Sequence, residues 1–240
     1  MRTAALPAAA LVAAALLAPA AQAQSGLYSQ VTLTSDYRYQ GVSSSGAAPA
    51  FQGVLHHFRP DGWYIGVFAS EVDYGYAQSP TFELDVYGGK TLKLDARTDL
   101  KLQGLVTVFP NDQTPGPTLS FLQVGASLIR KADPVTLTGT ATYVPSGSYG
   151  AGQVWRAEGE VALAVSKSLT LKGLAGHQTT EHRPDRSYWS LGAELKWRHL
   201  IFDVRYQDND LTTVECGLNP KVCKAAVVGA VTAVLPLILF

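Results

Sequence analysis

The stretch YWSLGAELKW, residues 188–197, carries two different chemistries on alternate positions. Trp189, Leu191, Ala193, Leu195 and Trp197 form one row, while Tyr188, Ser190, Gly192, Glu194 and Lys196 form the other. Successive side chains of a β-strand point to opposite faces, so this pattern predicts a strand with one apolar face, bounded by an aromatic at each end, and one small or charged face. After a turn at 198–199 the pattern resumes: Leu200, Phe202, Val204 and Tyr206 alternate with Ile201, Asp203, Arg205 and Gln207. Two such runs across so short a turn predict a hairpin.

Working outward, the same two-faced period recurs. In 31–39, Val31, Leu33, Tyr37 and Tyr39 oppose Thr32, Thr34, Asp36 and Arg38; from 82, Phe82, Leu84 and Val86 oppose Glu83, Asp85 and Tyr87. From 100, Leu100, Leu102, Val106 and Val108 oppose Lys101, Gln103 and Thr107, and in 135–143 Val135, Leu137, Ala141 and Tyr143 oppose four threonines. From 155, Trp155, Ala157, Val161, Leu163 and Val165 oppose Arg156, Glu158 and Glu160. Further strands are predicted at 49–58, 62–71, 119–129, 169–177 and from 225, which makes twelve. The period is blurred in 49–58, where His56 and His57 fall on opposite sides and no register is assigned.

The eleven connections alternate in length. Short turns fall at 59–61, 95–97, 130–134, 166–168 and 198–199, and longer segments rich in Gly, Ser, Pro, Asp or Asn at 40–48, 72–80, 110–118, 144–152, 178–187 and 208–224. The sheet therefore has two unlike ends. An up-and-down barrel of the bacterial outer membrane has this layout, with short periplasmic turns and longer extracellular loops. A soluble β-sandwich shows the same alternation of faces, but its connections have no reason to alternate, and its strands average about 5–6 residues against the 9–11 that a tilted strand needs to cross a bilayer.

The beginning of the chain reads as a secretory leader: Arg2 is basic, 4–18 is apolar, and Ala21-Gln22-Ala23 is a small-x-small cleavage site. Removing these 23 of 240 residues leaves 217, residues 24–240, enough for one large β domain. With Arg2 gone, 18 of the 19 basic residues stand against 19 acidic ones, a balance that argues against a nucleic-acid partner. No later stretch reaches the 18 or so apolar residues of a spanning helix, so the 47% hydrophobic content is dispersed as membrane strands disperse it. One exception needs a depth argument: Lys90 falls on the apolar parity, late in its strand, where it can snorkel into the periplasmic interface. The final run AAVVGAVTAVLPLILF offers only Thr232 as a polar inward residue, and Pro236 lacks a ladder donor, so pairing is expected to stop near Val234 or to leave the proline at a strand edge. A terminal aromatic such as Phe240 resembles the signal by which outer-membrane barrels are recognised by their assembly machinery.

The segments VTLTSDYRYQGVSSSGAAPAFQG (31–53), GWYIGVFASEVDYG (62–75) and ELDVYGGK (83–90) resemble the TorF porin family, known mainly as proteobacterial proteins expected to form outer-membrane barrels. The resemblance implies a porin-like barrel and names no substrate. Gln40 stands where a basic residue is expected in that family's first loop.

The expectation is thus an all-β, twelve-stranded antiparallel transmembrane barrel in the outer membrane of a Gram-negative bacterium, in contact with its lipid. If the apolar faces meet lipid, the inward charges are Asp36, Glu83, Asp85, Glu158, Glu160, Glu194 and Asp203 against Arg38, Lys101, Arg156, Lys172, Lys196 and Arg205. Seven acids against six bases make no ring of one sign, so either a narrow pore with a transverse field or a lumen braced by ion pairs is open. Passive diffusion of small polar solutes or ions is the working expectation; a closed structural or adhesive barrel is the alternative, with 208–224 the only loop roomy enough for display. Cys216 and Cys223 sit in that loop, lack CxxC spacing and have no nearby His, so a disulfide is expected. A hydrolase is the weaker alternative: His177, Glu181, His182 and Asp185 cluster but match neither HExxH nor HxxEH, there is no GxSxG, and Ser146 and Ser148 lie in an ordinary Pro-Ser-Gly segment. No catalytic group, metal or cofactor is expected. Small outward residues such as Gly139 and Ala141 leave a homo-oligomer open.

Overall fold

Each two-faced run pairs with its neighbours in sequence, and the last pairs with the first. The computed structural model describes residues 26–76, 78–216 and 219–237. The predicted leader and Phe240 lie outside them. The strands are β1 (Gly26–Thr34), β2 (Arg38–Tyr39), β3 (Val42–Ser43), β4 (Ala50–Phe58), β5 (Trp63–Glu71), β6 (Phe82–Lys93), β7 (Thr98–Val108), β8 (Phe121–Ala132), β9 (Val135–Gly147), β10 (Gly152–Ala164), β11 (Leu169–Thr180), β12 (Arg186–Trp197), β13 (Leu200–Asn209) and β14 (Ala226–Leu237). All but β2 and β3 form one closed antiparallel barrel in sequence order, with β1 hydrogen-bonded to β4 on one side and β14 on the other. Its twelve strands are 9 to 13 residues long.

The apolar rows lie outside. Leu191 is 60% exposed, Trp155 59% and Leu33 55%, whereas Glu83, Asp85, Arg156 and Glu160 on the opposite parity are 8% or less. So continuous an apolar exterior matches a lipid-facing band. Outward aromatics gather at both margins. Tyr143 lies against Trp155 (ring centres 4.4 Å apart) and Trp189 against Tyr206 (5.2 Å) at the loop end. At the turn end Lys90 Nζ sits 5.0 Å from the Trp63 ring centre and Arg198 5.2 Å from that of Trp197, so Lys90 lies among interfacial groups, as its snorkelling position requires. Eight residues separate Trp189 from Trp197, about 26 Å along a strand and roughly 20 Å along the axis once a tilt of about 40° is allowed for. That height suits the apolar band of an outer-membrane barrel.

Four expectations change. The strand predicted at 31–39 begins earlier and ends at Thr34; residues 35–49 then fold inward and carry the β2–β3 hairpin. Tyr37 and Tyr39, read as outward residues, consequently lie inside. The loops predicted at 144–152 and 178–187 are shorter than expected, because the ladder continues to Gly147↔Gly152 and Gln178↔Arg186 before the chain turns. In 49–58 the register is now fixed: Ala50, Gln52, Val54 and His56 point inward, Phe51 and Leu55 outward. Pairing of β14 with β1 does not stop near Val234 but runs through Tyr28↔Pro236. Val234 N–H donates to His199 O at the β12–β13 turn, and residues two apart in a strand direct their N–H groups to the same side. Pro236 therefore lacks its donor on the side where β13 has already ended, the edge position a proline tolerates.

The inner wall is less polar than alternation suggested. Val54, Tyr64, Phe68, Tyr87 and Leu105 on β4 to β7 form a buried cluster, with Phe68 fully enclosed. Gly66 makes room for it, since a Cβ there would lie 2.3 Å from the Tyr87 ring.

Candidate functional site in the lumen

The first loop is organised around one carboxylate. Asp36 accepts from Arg38 Nε at 2.7 Å, Ser43 Oγ at 2.5 Å and Ser45 Oγ at 3.2 Å, while Ser45 Oγ also receives Tyr37 N–H at 2.9 Å. These side-chain contacts replace the ladder and fold residues 35–45 back on themselves. Gln40 (φ 56°) and Gly41 (φ 76°) make the two-residue turn of β2–β3, a conformation with positive φ at both central positions. Glycine is required at the second of them, because a Cβ on Gly41 would meet Asp208 O at 2.6 Å.

The last long loop clamps this hairpin. Arg38 donates from Nη1 to Gly41 O (2.9 Å) and from Nη2 to Val222 O (3.1 Å); Asn209 Nδ2 donates to both Gly41 O and Cys223 O at 2.9 Å. Val222 and Cys223 belong to a 3-10 turn, Pro220–Cys223, tied by the Cys216–Cys223 disulfide (S–S 2.13 Å). On the other side Asp73 N–H donates to Ser44 O at 2.8 Å, which joins the second loop to the first.

So anchored, the hairpin crosses the barrel. Tyr39 lies beneath Arg156, whose guanidinium carbon is 5.0 Å from the ring centre, and Gln40 Oε1 accepts from Arg186 Nη2. Arg156 is further held by Gln123 (3.2 Å) and Gln178 (3.2 Å). Tyr37 donates its hydroxyl to Glu83 Oε1 at 3.0 Å; burial, and then the Glu83 charge, hold that hydroxyl well above the ordinary tyrosine range, so it stays protonated. Asp85 is 3% exposed and pairs with the Thr107 side chain. Around the ring of strands β6 and β12 are opposite, six places apart in either direction. Acids Glu83 and Asp85 thus face arginines Arg156 and Arg186 across Tyr39.

Two cavities flank the hairpin. The larger, about 590 Å³, opens among the long loops above Tyr39; the smaller, about 40 Å³, lies beneath, against Tyr39, Ser127, Thr140 and Glu158. Deeper charges neutralise one another: Lys172 and Lys196 reach Glu194 at 2.6 and 3.2 Å, and Arg205 reaches Asp203 at 2.6 Å. Glu158 accepts from Tyr188 Oη at 2.8 Å, and Glu160 has Lys172 and Arg205 among its charged neighbours. Lys101 Nζ lies 4.8 Å from the Tyr64 ring centre.

The thirteen charged residues expected along the lumen thus divide. Asp36 and Arg38 come from the infolded loop and not from a barrel strand, Lys196 is exposed at the turn-end rim, and the other ten are half-buried or buried on inner faces. Reading the sequence missed Tyr39, Gln40, Gln123, Gln178 and Arg186; of these, Gln40 followed by Gly41 was the available turn signal. His177 is exposed and bonds Ser187 (3.1 Å), His182 is 3.9 Å from Glu181, and Ser148 donates to Leu119 O (2.7 Å). Among the described residues no group of three or more His, Cys, Asp or Glu is placed to hold a metal ion.

An apolar exterior, a closed twelve-stranded wall and a charged lumen narrowed by its own loop define a porin-like barrel. The sequence matches over residues 19–234 the family described as "Bacterial protein of unknown function (Gcw_chp)", and the chain belongs to that family. Solved structures of similar fold include the KdgM porin (TM-score 0.57, 7% identity, 86% of this chain and 98% of that one). A KdgM porin in complex with disordered oligogalacturonate (0.57, 8%, 86% and 98%) and the NanC porin (0.59, 12%, 88% and 100%) are alike to the same degree. At these identities the likeness is one of fold. No curated protein matches the sequence significantly.

Proposed function

We propose that this protein is an outer-membrane channel for passive diffusion of small polar solutes or ions, with its aperture set by the β2–β3 hairpin. On this reading the leader directs export, the short turns face the periplasm, and the long loops with their disulfide face outward. The resemblance to TorF porins and the fold shared with KdgM and NanC support it, and the KdgM complex with oligogalacturonate supports passage of small solutes. The observation that carries the proposal is the hairpin itself. It spans the lumen between acids on β6 and arginines on β10 and β12, a transverse arrangement that acts on whatever passes. Single-channel recording in planar bilayers tests it: folded protein is expected to give discrete current steps. A second reading, a closed structural barrel, is favoured by the small cavity beneath Tyr39 and by the paired charges below it; folded protein that gives no current would establish it.

A further inference from the structure

We propose that the upper cavity is a binding site for small amphiphiles that carry one anionic group on an apolar, preferably aromatic, body. This deepens the channel reading and rests on it only for access to the cavity. At about 590 Å³ the space falls within the range of small-molecule sites, about 300–1,000 Å³. Its wall is not that of an aqueous pore. Tyr74, Leu105, Phe109, Leu119, Val144 and Val154 line it, and all but Tyr74 are 8% exposed or less. Such a wall gives nothing to a hydrated ion and favours an apolar body.

Two cations on the same cavity have no carboxylate in direct contact among the described residues. Arg156 and Arg186 are oriented by the carboxamide oxygens of Gln123, Gln178 and Gln40, which accept hydrogen bonds without neutralising. Among the described residues neither arginine has a carboxylate within 4.0 Å, whereas Lys172, Lys196 and Arg205 nearer the turn end all do. The Nε atom of each is buried with no protein partner. A guanidinium presents donors in a fork that fits a carboxylate, so two guanidiniums without an ion-pair partner on one cavity specify an anionic head. Glu83 and Asp85 on the opposite wall give a second anionic group no cationic partner, which favours a monoanion over a polyanionic chain. The Tyr39 ring, already a platform for Arg156, offers a planar surface between them.

The test is calorimetric titration of the full-length protein in lipid nanodiscs with 3-phenylpropionate, its neutral analogue 3-phenylpropan-1-ol, and digalacturonate. Phenylpropionate is expected to bind about tenfold or more tighter than the alcohol, the worth of a charged hydrogen bond. R186Q is expected to abolish that difference and R186K to restore part of it. L119N is expected to weaken acid and alcohol alike. Equal affinity for acid and alcohol, tighter binding of digalacturonate, or no heat from phenylpropionate each overturns the proposal. Conductance of the same preparation is scored separately: current without binding sinks this inference alone, and binding without current sinks the channel alone.

Discussion

Replacing Asp36 by alanine is expected to release the hairpin from the lumen while leaving the barrel intact. Arg38 has a side chain only 1% exposed, and its partner Asp36 is 9% exposed, so the variant strands a buried guanidinium. Removing one partner of a buried pair costs about 3–5 kcal/mol, because the other charge is left without compensation. The same substitution removes the acceptor for the Ser43 and Ser45 hydroxyls. A shift of about 3 kcal/mol changes the ratio of released to docked hairpin by roughly 10², and the upper figure exceeds 10³. The cost falls on the loop alone, since the ladder from Leu27 to Thr34 and from Ala50 to Phe58 is untouched. Single-channel conductance should therefore rise, while the far-ultraviolet circular dichroism and heat-modifiable gel migration of the folded barrel persist. The D36A/R38A double variant should be less destabilised at the loop than D36A, because it no longer buries an unpaired charge; a double-mutant cycle reads that coupling. A folded D36A barrel with unchanged conductance would refute the assignment of the hairpin as the aperture.

Other perturbations separate loop from barrel. Reducing the Cys216–Cys223 bond should expose 210–224 to limited proteolysis and make channel currents noisier, since Val222 O and Cys223 O hold Arg38 and Asn209; the midpoint of barrel unfolding should not move. Gly66→Ala should cost about 1–3 kcal/mol in urea unfolding by overpacking against the Tyr87 ring, while Gly139→Ala, with nothing within 4 Å of its new Cβ, should be neutral. At the β6–β7 turn, Asp95 is held below the usual carboxylate range by the Arg97 amide, then by the Thr98 hydroxyl. Its folded pKa is depressed, so its contribution to the turn is present above the unfolded value of about 3.9 and is lost as pH falls through the lower folded value. Carboxyl-carbon NMR titration should give a midpoint below that of a free aspartate, and a midpoint at or above it would contradict the hydrogen bonds seen.

Strand count, face and closure were legible because a membrane barrel writes them into period and length. Trp189 to Trp197 alternates without a break, and the structure turns each apolar residue of that row to the outside. What sits inside was less legible. The inward Tyr87 shares a parity with Glu83 and Asp85, and alternation does not tell a polar lumen from an aromatic one. Arg186 was assigned to a loop because residues 178–187 are rich in polar and turn-forming types, yet the β11–β12 ladder extends through Gln178↔Arg186. Ladder hydrogen bonds there outweigh the loop-forming preference of the side chains, a tertiary effect that no local count contains.

At residues 35–39 alternation continues and the barrel strand does not, and there the chain crosses its own lumen. In TSDYRYQG the period-two pattern runs on through Tyr39, but the ladder ends at Thr34. Ser35 N–H donates to Gly229 O at 2.8 Å and Ser35 Oγ accepts from Gly229 N–H at 3.0 Å, so a side chain takes over from the ladder. Thr34 Oγ1 then donates to Asp36 O at 2.9 Å, and Asp36 collects Arg38, Ser43 and Ser45. Short polar side chains compete with backbone pairing wherever they can reach it, and here they win. The result brings Tyr39 inside against Arg156 and puts Gln40 on Arg186. Conflict between local pattern and global pairing is tolerated where it serves a site. The conflict at residues 35–39 and the two arginines that, among the described residues, have no carboxylate within 4.0 Å meet at the same point in the lumen, so on the proposed channel reading that point, and not the paired charges below it, is where solutes would be discriminated.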